Sequence, residues 1–259
     1  MALTMDLTGR VVLVTGGQRG VGLGITARFV EAGATVVTCG RSEAEALPGS
    51  QHRLCDVREP EAVTALVDSI VADFGRLDVV VNNAGGAPYA LAAEASPRFH
   101  DKIVALNLLA PLSIMQAANA VMQRQDEGGA IVNISSVSAL RPSPGTAAYG
   151  AAKAGVDSLT ASLAVEWGPK VRVNSIDVGL VRTEQSDLHY AGESGVAAIA
   201  GTIALQRLAR PEDVGSVAVF LASDLASYVS GASIQCHGGG EPPLFLYVAQ
   251  HQAGEEPTT

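Results

Sequence analysis

The residues from Arg10 to Cys39 leave this chain the fewest choices. RVVLVT (10–15) is a short, continuous, β-branched apolar run, the mark of a strand buried on both faces. It breaks into GGQRGVGLG, after which ITARFVEAGA sets Ile25, Phe29 and Val30 on one side of a helix that Gly33 stops. ATVVTC (34–39) is the next strand. Together they form a β-α-β unit of about 30 residues, whose two strands belong in a parallel sheet.

The alternation continues. The spacing predicts a brief strand at Arg53–Val57 after a polar connection with room for one turn of helix at most. A helix follows over Pro60–Phe74, with Val63, Leu66, Val67, Ile70 and Val71 at helical spacing, then a strand at Leu77–Val81. Pro97 to about Gln125 reads as helix in two pieces divided near Ala110-Pro111, because proline disfavours helix in the residue before it. Ala130–Ser135 is a strand, Ala147–Trp167 a long Ala-rich helix closed by Gly168-Pro169, and Val171–Val178 another strand. Residues 184–209 lose strand character, gain glycines and suggest a mobile helical insert. Pro211–Ala222 is a helix with proline in its first turn, and Ala232–Cys236 the last strand. Strands alternating with helices imply an α/β fold: a doubly wound Rossmann-type parallel sheet between two helical layers, a three-layer sandwich. With 259 residues and 47% apolar composition, one domain over 1–259 is the expectation.

A net charge of −9 without any basic tract argues against nucleic-acid or anionic-membrane partners. The N-terminus lacks the charged lead and cleavage site of a secretory signal, and no apolar run reaches the roughly 18 residues of a membrane span. Cys39, Cys55 and Cys236 have neither metal-ligand nor redox-pair spacing, so they read as reduced core thiols of a cytoplasmic protein without a metal.

Gly16, Gly20 and Gly22 lie between the first strand and the first helix. There glycine lets backbone N–H groups approach a pyrophosphate, and the helix N-terminus adds positive potential. The spacing is G-x-x-x-G-x-G rather than G-x-G-x-x-G. NAD-binding sites usually place a carboxylate at the end of the second strand for the adenosine ribose. Here that end reads Cys39-Gly40-Arg41, and Arg19 sits inside the glycine loop. A missing acid and two guanidinium groups suit a 2′-phosphate, which favours NADP(H) over NAD(H) and leaves NAD(H) as the alternative.

Among five tyrosines and three lysines, Tyr149 and Lys153 are the only Tyr-x-x-x-Lys pair, and a spacing of four puts both on one helix face. A phenol titrates near ~10, so a neighbouring ammonium that favours phenolate would make it a better acid/base at neutral pH. A fixed Ser136 hydroxyl beside it would give two donors for an alkoxide forming on a carbonyl.

TGGQRGVG at 15–22, NNAG at 82–85, Asn107, Ser136, Tyr149-x-x-x-Lys153 and GASIQCHGG at 231–239 resemble, in order and spacing, the short-chain dehydrogenase/reductase family in its single-domain branch. The likeness runs from Leu7 to about Pro243. It implies an enzyme that interconverts an alcohol and a ketone or aldehyde. Tyr149 would exchange the proton, Lys153 would hold the nicotinamide ribose and lower the tyrosine pKa, Ser136 would bond the substrate oxygen, and Asn107 would anchor a water linking Lys153 to solvent. Gly16, Gln18, Arg19, Gly20, Val21 and Gly22 would cradle the cofactor, with Arg41, Asp56 and Val57 at its adenosine end. Asn83, Ala84 and Gly85 would line the adenosine side and steady the sheet. Gly179, Val181 and Thr183 would meet the nicotinamide end together with Tyr149 and Lys153. The resemblance also favours a homotetramer, for which the small residues of the Tyr149 helix offer a contact face.

Two positions depart from the family pattern: Val178-Gly179 stands where a Pro-Gly pair is usual, and His237 where an aspartate is usual, most simply as a structural residue. Substrate choice would lie in Gly86–Tyr89, Val137–Pro144, Leu180 and the insert, whose VAAIAGTIAL stretch, behind His189 and Tyr190, suits a lid over a small apolar carbonyl or alcohol. PPLFLYVA (242–249) is a second candidate contact, across a subunit boundary or over the pocket. A non-catalytic dinucleotide-binding regulator is the competing reading, although all four of Asn107, Ser136, Tyr149 and Lys153 are present. A nucleotide-sugar epimerase would need a longer C-terminal region.

Overall fold

A computed structural model of the chain describes residues 5–184, 186, 192–243 and 245. Seven strands form one all-parallel sheet in the order β3-β2-β1-β4-β5-β6-β7. They are β1 (Val11–Thr15), β2 (Thr35–Gly40), β3 (Ser50–Leu54), β4 (Val79–Asn82), β5 (Gly129–Ser136), β6 (Val171–Val178) and β7 (Ser233–Cys236). The described helices are α1 (Gly20–Glu31), α2 (Pro60–Phe74), α3 (Pro97–Val104), α4 (Ala110–Met122), α5 (Ala147–Trp167), α6 (Gly192–Ala200) and α7 (Pro211–Ala222).

Because side chains alternate along a strand, each strand feeds two cores. Val11, Leu13, Val37, Val80, Ile131 and Val173 face α2, α4 and α5, where Ile70, Ile114, Met115 and Leu163 meet them. Val12, Val14, Val36, Val81, Val132 and Ile176 face α1 and α7, against Ile25, Phe29, Val214 and Leu221. The three-layer expectation holds, and α2, α5, β6 and α7 have the predicted limits. Of the other strands, all but β3 begin and end within two residues of their predicted limits.

Three segments differ. The third strand is Ser50–Leu54 instead of Arg53–Val57. It is a half-exposed edge strand, SQHRL, held by its ladder to Val36–Gly40, so the apolar pattern that marks buried strands does not mark it. Helix α1 begins at Gly20, inside the glycine loop, earlier than its apolar face suggests. The segment from Pro97 does not break at Ala110-Pro111. It runs on to Met122 through a π turn, Ala105–Leu109, in which the Ala110 N–H donates five residues back to the Ala105 carbonyl. Pro111 offers no N–H to the carbonyl of Asn107, and the wider turn lets the helix continue past it.

An 18-residue window of that continuous 26-residue helix has a mean hydropathy of 1.5, enough for a membrane span by length and composition alone, a test that the core helix of a globular fold also passes. The α4 half puts Ile114, Met115, Ala118 and Met122 into the first core. Within the 184–209 insert, α6 is helical as expected. The insert leaves and rejoins the body at one place, where the Arg182 N–H donates to the Ala209 carbonyl at 2.8 Å and the Ala209 N–H to the Leu180 carbonyl at 2.9 Å. His189, Tyr190 and most of 242–249 lie outside the described residues.

Candidate active site

The carboxyl ends of β1, β2, β4, β5 and β6 open into a cleft of about 760 Å³ around the point where strand order reverses between β1 and β4. Every residue the sequence assigned to a cofactor lines it: Gly16, Gln18, Arg19, Gly20, Val21, Gly22, Arg41, Asp56, Val57, Asn83, Ala84, Gly85, Tyr149, Lys153, Gly179, Val181 and Thr183.

The glycine loop is shaped by contacts that exclude side chains. A Cβ on Gly22 would lie 2.1 Å from the Gly16 carbonyl oxygen, and Gly16 itself adopts φ +64. Arg19 precedes α1 without any side-chain cap on the first turn, so the N–H groups there are left for an anion. Asn83 ties the end of β4 to that of β1, its Nδ2 donating to the Thr15 carbonyl at 2.9 Å, while Thr15 Oγ1 accepts from the N–H groups of Asn83 and Ala84 at 3.0 Å each. Narrow backbone at the loop and free donors at a helix start are the features a pyrophosphate needs, so these residues fit a dinucleotide.

At the end of the cleft beside β2 and β3, Arg41 is exposed and has no ion pair among the described residues. Asp56 is held at about 2 by hydrogen bonds from Arg58 and by the nearby Arg41 charge; Arg58 Nε donates to its Oδ1 at 2.9 Å. Sequence reasoning missed Arg58, and also His52, whose Nδ1 pairs with Thr38 Oγ1 and whose Nε2 pairs with the Ser42 carbonyl, both at 3.0 Å. Cys39 and Cys55 are unpaired as predicted, yet both line the cleft as well as the core.

At the other end, β5 delivers Ser136 and α5 delivers Tyr149 and Lys153. The Ser136 hydroxyl and the Tyr149 phenol both face this end of the cleft. Burial raises the phenol above its ordinary value, and the nearby Ser136 hydroxyl offsets part of that rise. The expected lowering by Lys153 is absent: the amine lies over the ring face, 5.6 Å from its centroid, and donates to the Ile134 carbonyl at 2.7 Å. Lys153 is itself pushed down to about 8 by burial, against the opposing charge of Asp157. Asn107, in the π turn, is fully buried. Its Nδ2 donates to the carbonyls of Ile103 (2.9 Å) and Gly86 (3.0 Å), and its Oδ1 accepts from the Gly86 N–H at 2.8 Å. The side chain therefore fixes the loop after β4, and Asn107 does not line the cleft itself.

Gly179 packs directly on position 237: a Cβ at Gly179 would lie 2.7 Å from the Cβ of His237, a clash that any side chain at 237 would cause, and the histidine pairs through Nε2 with Gln235 at 2.8 Å. The glycines that follow seat the insert, where Leu205 N–H donates to the Gly238 carbonyl at 3.0 Å.

Residues 16–241 match the profile of a family described as enoyl-(acyl carrier protein) reductase. The chain is 34% identical over 248 residues to a 3alpha-hydroxysteroid dehydrogenase of Mediterraneibacter gnavus, covering 90% of this chain and 98% of that one. It is 38% identical over 244 residues to a D-threitol dehydrogenase of Mycolicibacterium smegmatis, covering 90% and 93%. Among solved structures, the ligand-free aldohexose dehydrogenase of Thermoplasma acidophilum superimposes with a TM-score of 0.86 at 29% identity, over 99% of both chains. With the sheet order, the glycine cradle and the Ser136–Tyr149–Lys153 group in place, the chain belongs to the short-chain dehydrogenase/reductase family and is an NAD(P)-dependent enzyme of that kind.

Proposed function

We propose that this enzyme interconverts an alcohol and a ketone or aldehyde with NADP(H), Tyr149 acting as acid/base. The observation that carries the reading is the meeting of Ser136, Tyr149 and the buried Lys153 amine at one end of the cleft, the amine lying over the Tyr149 ring. The nicotinamide, when bound, supplies or accepts the hydride. In reduction, Tyr149 starts protonated, since burial holds its phenol above the ordinary value, and gives its proton to the substrate oxygen. The Ser136 hydroxyl donates to the same oxygen as charge develops on it. Lys153 holds the ribose, and Asn107 fixes the Gly86 backbone beside them.

Arg41, with Arg19 and Arg58 on the same cleft, recognises a 2′-phosphate. NAD(H) is the second reading, favoured by Glu43, a carboxylate on the same wall. The substrate is small and apolar, because Leu180 lines the cleft and packs with Val196, Ile203 and Leu208 of the insert. The free thiols fit a cytoplasmic protein. The small exposed face of α5 fits a homotetramer.

Tyr149→Phe tests the chemistry. Followed by nicotinamide absorbance on a ketone and alcohol panel, it should lower kcat/KM by about 10²–10⁴-fold and leave cofactor affinity nearly intact. Unchanged turnover would refute the acid/base role.

A further inference from the structure

One turn along α5 from Lys153 stands Asp157, and on β6 stands Asp177, 1% exposed and in register with Ser135. The Ser135 hydroxyl donates to the Lys153 carbonyl at 3.4 Å, which ties the same strands and helix together. Both carboxylate oxygens of Asp157 and Oδ1 of Asp177 are shut off from solvent and find no donor among the described residues, although the Ser135 hydroxyl lies close enough to Asp177 to favour its charge. Buried acceptors without a donor are rare and call for an explanation. The two carboxyl groups face one another, and such a contact becomes a hydrogen bond only when a proton sits between them.

We propose that Asp157 and Asp177 share one proton and act as the counter-ion of Lys153, positioning residues that keep its amine charged where burial opposes the charge. With the proton shared, the pair carries one negative charge; on releasing it to solvent, two. Asp177 is raised to about 7, by burial first and then by Asp157, and Lys153 is lowered to about 8, so the pair and the amine titrate in the same range. The elements around the amine offer few rivals. Helix α5 contributes Tyr149 and Asp157, and β6 contributes Asp177. Strand β5, the π turn and α4 contribute no titratable group. Helix α3 carries Arg98, His100, Asp101 and Lys102. Of all these, Asp157 is the charge that acts on Lys153.

The inference rests on the reading of Lys153 as an active-site amine, but its test needs no substrate. With three lysines in the chain, protein isotope-labelled at lysine Cε gives three NMR signals, and Lys153→Met assigns one of them. In the cofactor-free wild type the Lys153 signal should titrate near 8. Asp157→Asn should lower that midpoint by about one pH unit or more, and Asp177→Asn, which keeps a donor for Asp157 and so preserves the fold, by a smaller but measurable amount. A midpoint unmoved in either folded variant overturns the proposal. With any ketone the wild type reduces, the alkaline limb of kcat/KM should move to lower pH in both variants; a limb that stays put also overturns it. Failure to find a ketone would count against the proposed chemistry and leave the titration result standing.

Discussion

Lys153 is where stability and chemistry pull apart. Its amine is taken from 10.5 to about 8 by burial, a difference worth about 3 kcal/mol against the folded state. Because the folded value lies below the unfolded one, that penalty is fully present below pH 8 and disappears as pH rises past the unfolded value. Lys153→Met should therefore raise stability at pH 7 by about 1–3 kcal/mol in denaturant titration, the lost Ile134 bond taking back part of the gain, and the benefit should vanish at strongly alkaline pH. Arg41 gives a second test at this scale. Arg41→Ala should weaken NADPH binding by about 10-fold or more, the loss of a charge-assisted phosphate contact, and NADH binding little. Equal losses by calorimetry would contradict the 2′-phosphate assignment. At this scale the Tyr149 and Lys153 spacing and the glycine loop were legible, because local geometry alone brings those residues together. Arg58 and His52 were not. Their place on the cleft depends on how an edge strand pairs, which no local pattern encodes.

At the scale of elements, α1 and α7 lie in close contact through glycine. A Cβ on Gly24 would lie 2.3 Å from Pro211 Cβ, and one on Gly215 would lie 2.7 Å from the Gly24 carbonyl oxygen. Two glycines thus let the helix that starts at the phosphate loop lie flush on its neighbour. Gly24→Ala has to push α7 away, since backbone rather than a flexible side chain blocks it. It should destabilise the protein by about 1–3 kcal/mol, read as a lowered Tm of a few degrees. Gly24 was visible in the sequence only as another loop glycine, because the partner that makes it necessary lies almost 190 positions further on. Helices with a clean apolar stripe, such as α2, could be bounded from their own residues. The π turn could not, since the Pro111 signal that suggests a break is equally satisfied by a wider turn, and that turn sets Asn107 against Gly86.

For the whole molecule, the proposed assembly would rest on the outer face of α5. Ala151, Ala154, Ser158, Ala161, Ser162 and Val165 are all exposed, Val165 to 84%, and Leu109, the last residue of the π turn, is 52% exposed. These positions recur every three or four residues, so they form one stripe along a helix whose other faces cover the sheet and carry Tyr149 and Lys153. A stripe of small side chains lets a second helix approach closely, and pairing two such faces by a two-fold axis covers both at once. Ser158→Arg puts a long charged side chain at the middle of the stripe, away from the cleft. If the protein is a tetramer built on this face, sedimentation should show the variant as a smaller species with unchanged far-UV circular dichroism. Its activity should fall only as far as the partner's α5 helps hold Tyr149 and Lys153 in place. A variant of unchanged size would move the interface elsewhere, since an arginine cannot be accommodated in a close contact between two copies of this helix.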